Sequence, residues 1–107
     1  MNSKLILEST PEDFQILTIE IGGNGLVEPA DIKGIQLPEK IDFTKGVLIS
    51  GKAPVWFYAA LVHKLHISKW VATLDPRIGA IVVQSHDKNS PQTGDIIPFE
   101  KLKNFLK

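Results

Sequence analysis

Cysteine is absent from the 107 residues of this sequence. That absence excludes a disulfide framework, a thiolate zinc site and a cysteine nucleophile. Long apolar runs are missing too: none approaches the roughly 20 residues that a membrane-spanning helix requires. Met1 to Thr10 lacks the basic start and apolar stretch of a secretory signal. The expectation is a cytoplasmic protein with no membrane partner. Neither sign of charge is in excess, because 12 Lys and Arg oppose 12 Asp and Glu. Global charge therefore names no polyanionic partner. Internal repeats and low-complexity tracts are also absent, and residues 1–107 read as one domain.

Enough apolar material is present for a core, with 43% hydrophobic residues and a mean hydropathy of +0.03. A chain this short buries only about two-thirds of its unfolded surface, so self-association is expected to add stability. Charge is unevenly spread along it. Lys45, Lys52, Lys64, Lys69, Arg77 and Lys88 face only Asp75 and Asp87 within residues 45–88, six against two, or +4. The two flanks carry six basic and ten acidic residues, or −4. The central stretch also holds all three histidines, His63, His66 and His86. Such asymmetry points to an anion-facing centre in a neutral molecule; chance clustering is the competing account.

Pattern and punctuation predict the elements. Lys4–Glu8 and Phe14–Ile21 read as strands of a hairpin across the polar turn Ser9–Asp13. Gly22, Gly23, Asn24 and Gly25 then break regular structure, and Glu28–Gly34 reads as a helical turn with Pro29 near its start. The continuous apolar run Gly46–Ser50 is a strand buried on both faces. Pro54 suits the first position of a helix over Val55–Leu65, whose Val55, Ala59, Val62 and Leu65-His66 share a face. Trp70–Leu74 and Ala80–Gln84 are strands flanking the turn Asp75–Gly79. Gly94–Phe99 is an edge strand closed by Pro98, and Phe99, Leu102 and Phe105-Leu106 suit a short last helix. The resulting class is α/β, a mixed sheet with helices packed on it.

Four groups of residues carry chemistry. Ser50-Gly51-Lys52-Ala53-Pro54 joins a buried strand to a helix start, where glycine permits close approach and free N–H groups favour anions. It lacks the GxxxxGK[ST] pattern of a P-loop, and a plain strand-to-helix turn accounts for it equally well. His63-Lys64-Leu65-His66 sets two imidazoles on neighbouring helix positions, able to share a metal or move a proton; a helix C-terminal cap is the alternative. Asp75-Pro76-Arg77-Ile78-Gly79 is a turn by composition, yet it places a carboxylate and a guanidinium at the mouth of two buried strands. Gln84-Ser85-His86 ends a strand with three polar groups. Two His, one Asp and one Arg suit phosphodiester cleavage assisted by an oxygen-preferring divalent ion such as Mn²⁺.

Joined in order, these segments resemble a small CRISPR-associated ring nuclease family. Lys45-Gly46-Val47-Leu48-Ile49-Ser50-Gly51-Lys52-Ala53-Pro54-Val55-Trp56 is similar to that family's KGVxISGxxPxW segment. Asp75-Pro76-Arg77-Ile78-Gly79-Ala80-Ile81-Val82-Val83-Gln84-Ser85-His86 is similar to its DPRxGAxVVQSH segment. Between them, His63-Lys64-Leu65-His66 is one residue shorter than HKxxH, which keeps both His63 and His66 in play, with His66 preferred. The resemblance covers residues 45–86. It implies a Mn²⁺-dependent phosphodiesterase, of the hydrolase or lyase class, that degrades cyclic oligoadenylate, most typically cyclic tetra-adenylate. It also implies cooperating homodimers, a dimer of dimers on the ligand. His66 and Asp75 are carried over as catalytic and metal-binding, Arg77 and His86 as supporting catalytic residues. Ser50, Gly51 and Lys52 are the expected nucleotide-binding turn. A non-catalytic cyclic oligoadenylate sensor and a Mn²⁺-dependent exonuclease on single-stranded adenylate tails are the alternatives.

Overall fold

Large aliphatic residues fill both faces of Phe14–Ile21 and Gly46–Ser50, and such segments are strands only where a layer covers each side. The structure, a computed structural model, describes residues 3–23 and 26–106; Asn24 and Gly25 of the predicted glycine-rich break lie outside them. In chain order the elements are β1 (Ser3–Ser9), β2 (Phe14–Ile21), a 3₁₀ turn (Pro29–Gly34) and β3 (Gly46–Ser50). There follow α1 (Val55–Lys64), β4 (Trp70–Asp75), β5 (Gly79–Ser85), β6 (Ile96–Pro98) and α2 (Phe99–Leu102). The strands form one six-stranded sheet in sequential order. Its centre is parallel, β2 with β3 and β3 with β4. Antiparallel hairpins flank that centre, β1 with β2 on one side and β4 with β5 and β6 on the other. The α/β class and mixed sheet expected from the sequence are what is found.

Each sheet face has its own core. On one face Leu17, Ile19, Val47, Ile49 and Val71 pack beneath Phe57, Leu61 and Leu65, with Ile35 from the connection between β2 and β3. On the other, Phe14, Ile16, Leu48, Trp70, Ala72, Ala80 and Val82 meet Leu102, with Phe105 and Leu106 packed against them. Burying one such side chain is worth about 1.5–3 kcal/mol. No helix among the described residues is long and apolar enough to cross a membrane.

The face of α1 differs from the one predicted. Val55 and Ala59 are exposed, Val55 at 81%, while Phe57 and Leu61 are fully buried. The segment VWFYAALV is apolar nearly all round, so its spacing fits more than one stripe. The larger Phe57–Leu61–Leu65 row, at i, i+4 and i+8, takes the sheet. Pro54 is likewise one position earlier than predicted, capping α1 from an extended conformation (ψ 155°).

Gly46 is required by packing at the start of β3. A Cβ there would sit 2.0 Å from the Trp70 ring, and Trp70 is 3% exposed. Gly46→Ala should therefore lower unfolding free energy by about 1–3 kcal/mol, as overpacked cores do. Urea unfolding followed by Trp fluorescence checks this.

The parallel centre has a geometric consequence for function. β3 and β4 run the same way, so Ser50 and Asp75 end at one edge of the sheet, its carboxyl edge. The helix α1 returns the chain to the opposite, amino edge, where β4 starts at Trp70 and β5 ends at Ser85.

Candidate functional site

The carboxyl edge gathers the Ser50–Lys52 and Asp75–Arg77 turns. Ser50 Oγ lies 3.0 Å from Thr18 Oγ1 across the β2–β3 pair. Gly51 takes φ +112°, and a Cβ there would lie 2.4 Å from the Ile19 carbonyl oxygen. Only glycine fits. The Tyr58 hydroxyl, one turn into α1, donates to the Gly51 carbonyl at 2.6 Å, tying the turn to the helix. Burial raises the Tyr58 pKa above its ordinary value. α1 has no side-chain cap, so its first amides and the exposed Lys52 together form a positive corner.

At Asp75 the turn is closed locally. The Ile78 N–H donates to the Asp75 carbonyl at 3.1 Å, and the Arg77 N–H donates to Asp75 Oδ1 at 2.8 Å. Arg77 Nη2 stands 3.4 Å from Oδ2, with the Arg77 side chain 84% exposed. These contacts, the Arg77 backbone N–H first and its guanidinium second, hold the Asp75 carboxyl below the ordinary aspartate value of 3.8. A depressed carboxyl favours the folded state above the unfolded pKa, and that contribution is lost as pH falls through the folded value. The expectation is an Asp75 midpoint below 3.8 by NMR, raised only part of the way by Arg77→Ala, because the backbone donor remains.

At the amino edge the histidines are fixed by carbonyls. A carbonyl only accepts, so His66 Nδ1, 2.9 Å from the His63 carbonyl, carries its proton and the Nε2 lone pair of the neutral ring faces outward. His86 Nε2 donates to the His66 carbonyl at 2.6 Å, leaving Nδ1 of the neutral ring as acceptor. Gln84 Nε2 donates to the same carbonyl at 2.7 Å. His63 stacks on His66 with ring centroids 5.8 Å apart. Below them Lys69 Nζ reaches Asp13 at 2.8 Å and Asp87 at 3.6 Å, and its carbonyl accepts the His86 N–H at 2.9 Å. The Asp13 hydrogen bond, foremost, raises the Lys69 pKa.

The structure therefore brings Asp75 and Arg77 together with Ser50–Lys52, and His66 together with His63, Gln84 and His86. It does not bring the two groups to each other within one chain. Trp70 to Asp75 is five residue steps of about 3.3 Å, so roughly 16 Å of β4 separates the edges. Among the described residues no three His, Asp or Glu groups converge on a common metal position. The donor chemistry suits a divalent ion, since Asp75 retains oxygen lone pairs and His66 an imidazole nitrogen, but each edge holds half of the set. Thr18 and Tyr58 are not among the residues the sequence nominates for the site, and Lys69 enters there only as one charge of the basic stretch; their contacts come from non-local partners that no spacing announces.

A six-stranded mixed sheet with a cluster of polar side chains at each of two opposed edges defines the class, a small α/β protein. The family model described as CRISPR-associated protein (Cas_csx3) matches residues 20–98. An uncharacterised protein of Aquifex aeolicus (strain VF5) is 37% identical over 76 residues, covering 67% of this chain and 68% of its own. This chain belongs to the Cas_csx3 family of CRISPR-associated proteins.

Proposed function

We propose that this chain is a ring nuclease that opens cyclic tetra-adenylate and so switches off a CRISPR antiviral signal, with Mn²⁺ as cofactor. The observation that carries this reading is the pairing of a phosphate-suited turn with an Asp–Arg turn at one edge, and oriented imidazoles at the other. Because His66 and Asp75 sit at opposite ends of β4, the cutting site joins Asp75 of one copy to His66 of another. Homodimers stacked on the ring, a dimer of dimers, supply both edges to one phosphate.

In this scheme the Ser50–Lys52 turn and the first amides of α1 hold a ring phosphate. Arg77, already oriented by Asp75, neutralises charge on the scissile phosphate. The ribose 2′-hydroxyl attacks phosphorus, the bond to the 5′ oxygen breaks, and that oxygen takes a proton from solvent, leaving a 2′,3′-cyclic phosphate and a 5′-hydroxyl. His86 Nδ1, the acceptor left by its bond to the His66 carbonyl, receives the 2′-hydroxyl proton. Asp75 and His66 would hold a divalent ion, which would supply further charge neutralisation.

Purified protein incubated with labelled cyclic tetra-adenylate, with and without Mn²⁺, tests the reading. Metal-dependent conversion to linear product is expected, with a rate per subunit that rises with protein concentration. Tight binding without turnover would leave a sensor, and preference for linear poly-adenylate would leave an exonuclease. Gln84 enters as a positioning residue. Gln84→Met removes the donor to the His66 carbonyl and should lower the rate about tenfold with ring affinity unchanged; Gln84→Lys, which keeps a donor, should recover most of it. Single-turnover rates beside equilibrium binding make that comparison.

A further inference from the structure

A cavity of about 510 Å³ opens beside the Ser50–Gly51 turn, on the α2 side of the sheet. Its size falls in the roughly 300–1,000 Å³ range of small-ligand pockets. α2 and the residues after it cover the part of this face around Phe14 and Trp70, leaving the part above β1, β2 and the end of β3 open. The floor is Ile16 and Ser50, 1% and 5% exposed, with Thr18 between them. Phe105 forms a wall, and Glu8 and Glu20 bring carboxylates to the lining.

Two features of this lining select a ligand. Thr18 and Ser50 each carry one hydroxyl proton, and their mutual bond at 3.0 Å consumes one of the two. Among the described residues neither hydroxyl has a second partner, so a nearly buried O–H remains available to a ligand. The carboxylates, in contrast, only accept. They repel a phosphate and attract an uncharged group that offers N–H donors. Glu20 is anchored by Lys4 at 3.7 Å, which leaves it further lone pairs. The chemistry called for is a flat, apolar, neutral ring that carries both an amine and ring-nitrogen acceptors.

We infer that this cavity is a purine-base pocket that takes an adenine of the ring while an adjoining phosphate rests on the Gly51 turn. The assignment rests on the nucleotide reading above and deepens it. The adenine amine donates to the Glu20 carboxylate. A ring nitrogen accepts the spare hydroxyl proton, and the base faces lie against the apolar wall. Hypoxanthine presents a carbonyl oxygen where adenine presents its amine, and that oxygen would face the carboxylates.

Metal-free equilibrium binding of cyclic tetra-adenylate and cyclic tetra-inosinate to the full chain tests this. Wild type should prefer the adenylate ring at least about tenfold, the kind of discrimination a hydrogen-bonding site imposes. Thr18→Val, which keeps the shape and removes the hydroxyl, should weaken adenylate binding about tenfold. Glu20→Gln lies at a side chain 51% exposed and reports even if Thr18→Val fails to fold; it should cut the adenylate preference to a few-fold or less. Equal wild-type affinity for the two rings overturns the pocket and leaves the nucleotide reading standing. Affinity for neither ring overturns the nucleotide reading, and the pocket with it.

Discussion

Asp75→Asn and His66→Ala should each lose at least about 100-fold in ring cleavage, and a mixture of the two inactive proteins should regain activity. The recovery follows from geometry. A site made of Asp75 from one copy and His66 from another is intact when the first copy is the His66 variant and the second the Asp75 variant. With free assortment of equal amounts, that is one half times one half, or about a quarter of the sites. Asn also suits the first position of the turn, so Asp75→Asn should fold normally. His63→Ala should cost far less than His66→Ala, since His63 serves His66 through its carbonyl, which alanine retains. Initial rates of each variant alone and mixed across a dilution series decide the matter. A mixture no faster than its components would place the cutting site within one chain and break the composite model.

The second large effect is on stability. Phe57→Ala should lower unfolding free energy by about 3–5 kcal/mol, the usual cost of emptying a fully buried aromatic site. Phe57 is fully buried beneath the β2–β3–β4 face, and its neighbours are strand residues that cannot collapse into the void. Val55→Ala, two residues away on the exposed side of the same helix, should stay within about 0.5 kcal/mol. The pair of variants separates the observed helix face from the one the spacing predicted. Guanidinium unfolding with matched m-values gives both numbers; similar losses for the two would contradict the packing of α1 on the sheet.

Much of the fold was legible in residue order because it depends on local chemistry. Glycine, proline and charged clusters marked the ends of β2 and β3 at the observed residues, and those of β1, β4 and β5 within one residue. The two-sided apolar run Gly46–Ser50 announced a central strand. Asp75-Pro76-Arg77-Ile78-Gly79 carried its own turn, with the carboxylate bound to the Arg77 amide two residues on. The residues nominated for chemistry could be named for the same reason, since their types and spacings are properties of the chain.

Sequence by itself thus determined the α/β class, the boundaries of β1 to β5 and the candidate residues, while β6 is the shorter Ile96–Pro98 within the predicted Gly94–Phe99. Tertiary structure alone decided which face of α1 is buried, because an almost wholly apolar helix has no internal preference and the strands it crosses choose for it. It alone paired β2 in parallel with β3 through the long connection after Ile21. That pairing brought Thr18 to Ser50, and the following helix brought Tyr58 to Gly51. Most of all, it separated His66 from Asp75. Nine positions along a chain specify no distance; here part of that interval is an extended strand, and extended backbone keeps its two ends as far apart as its length allows.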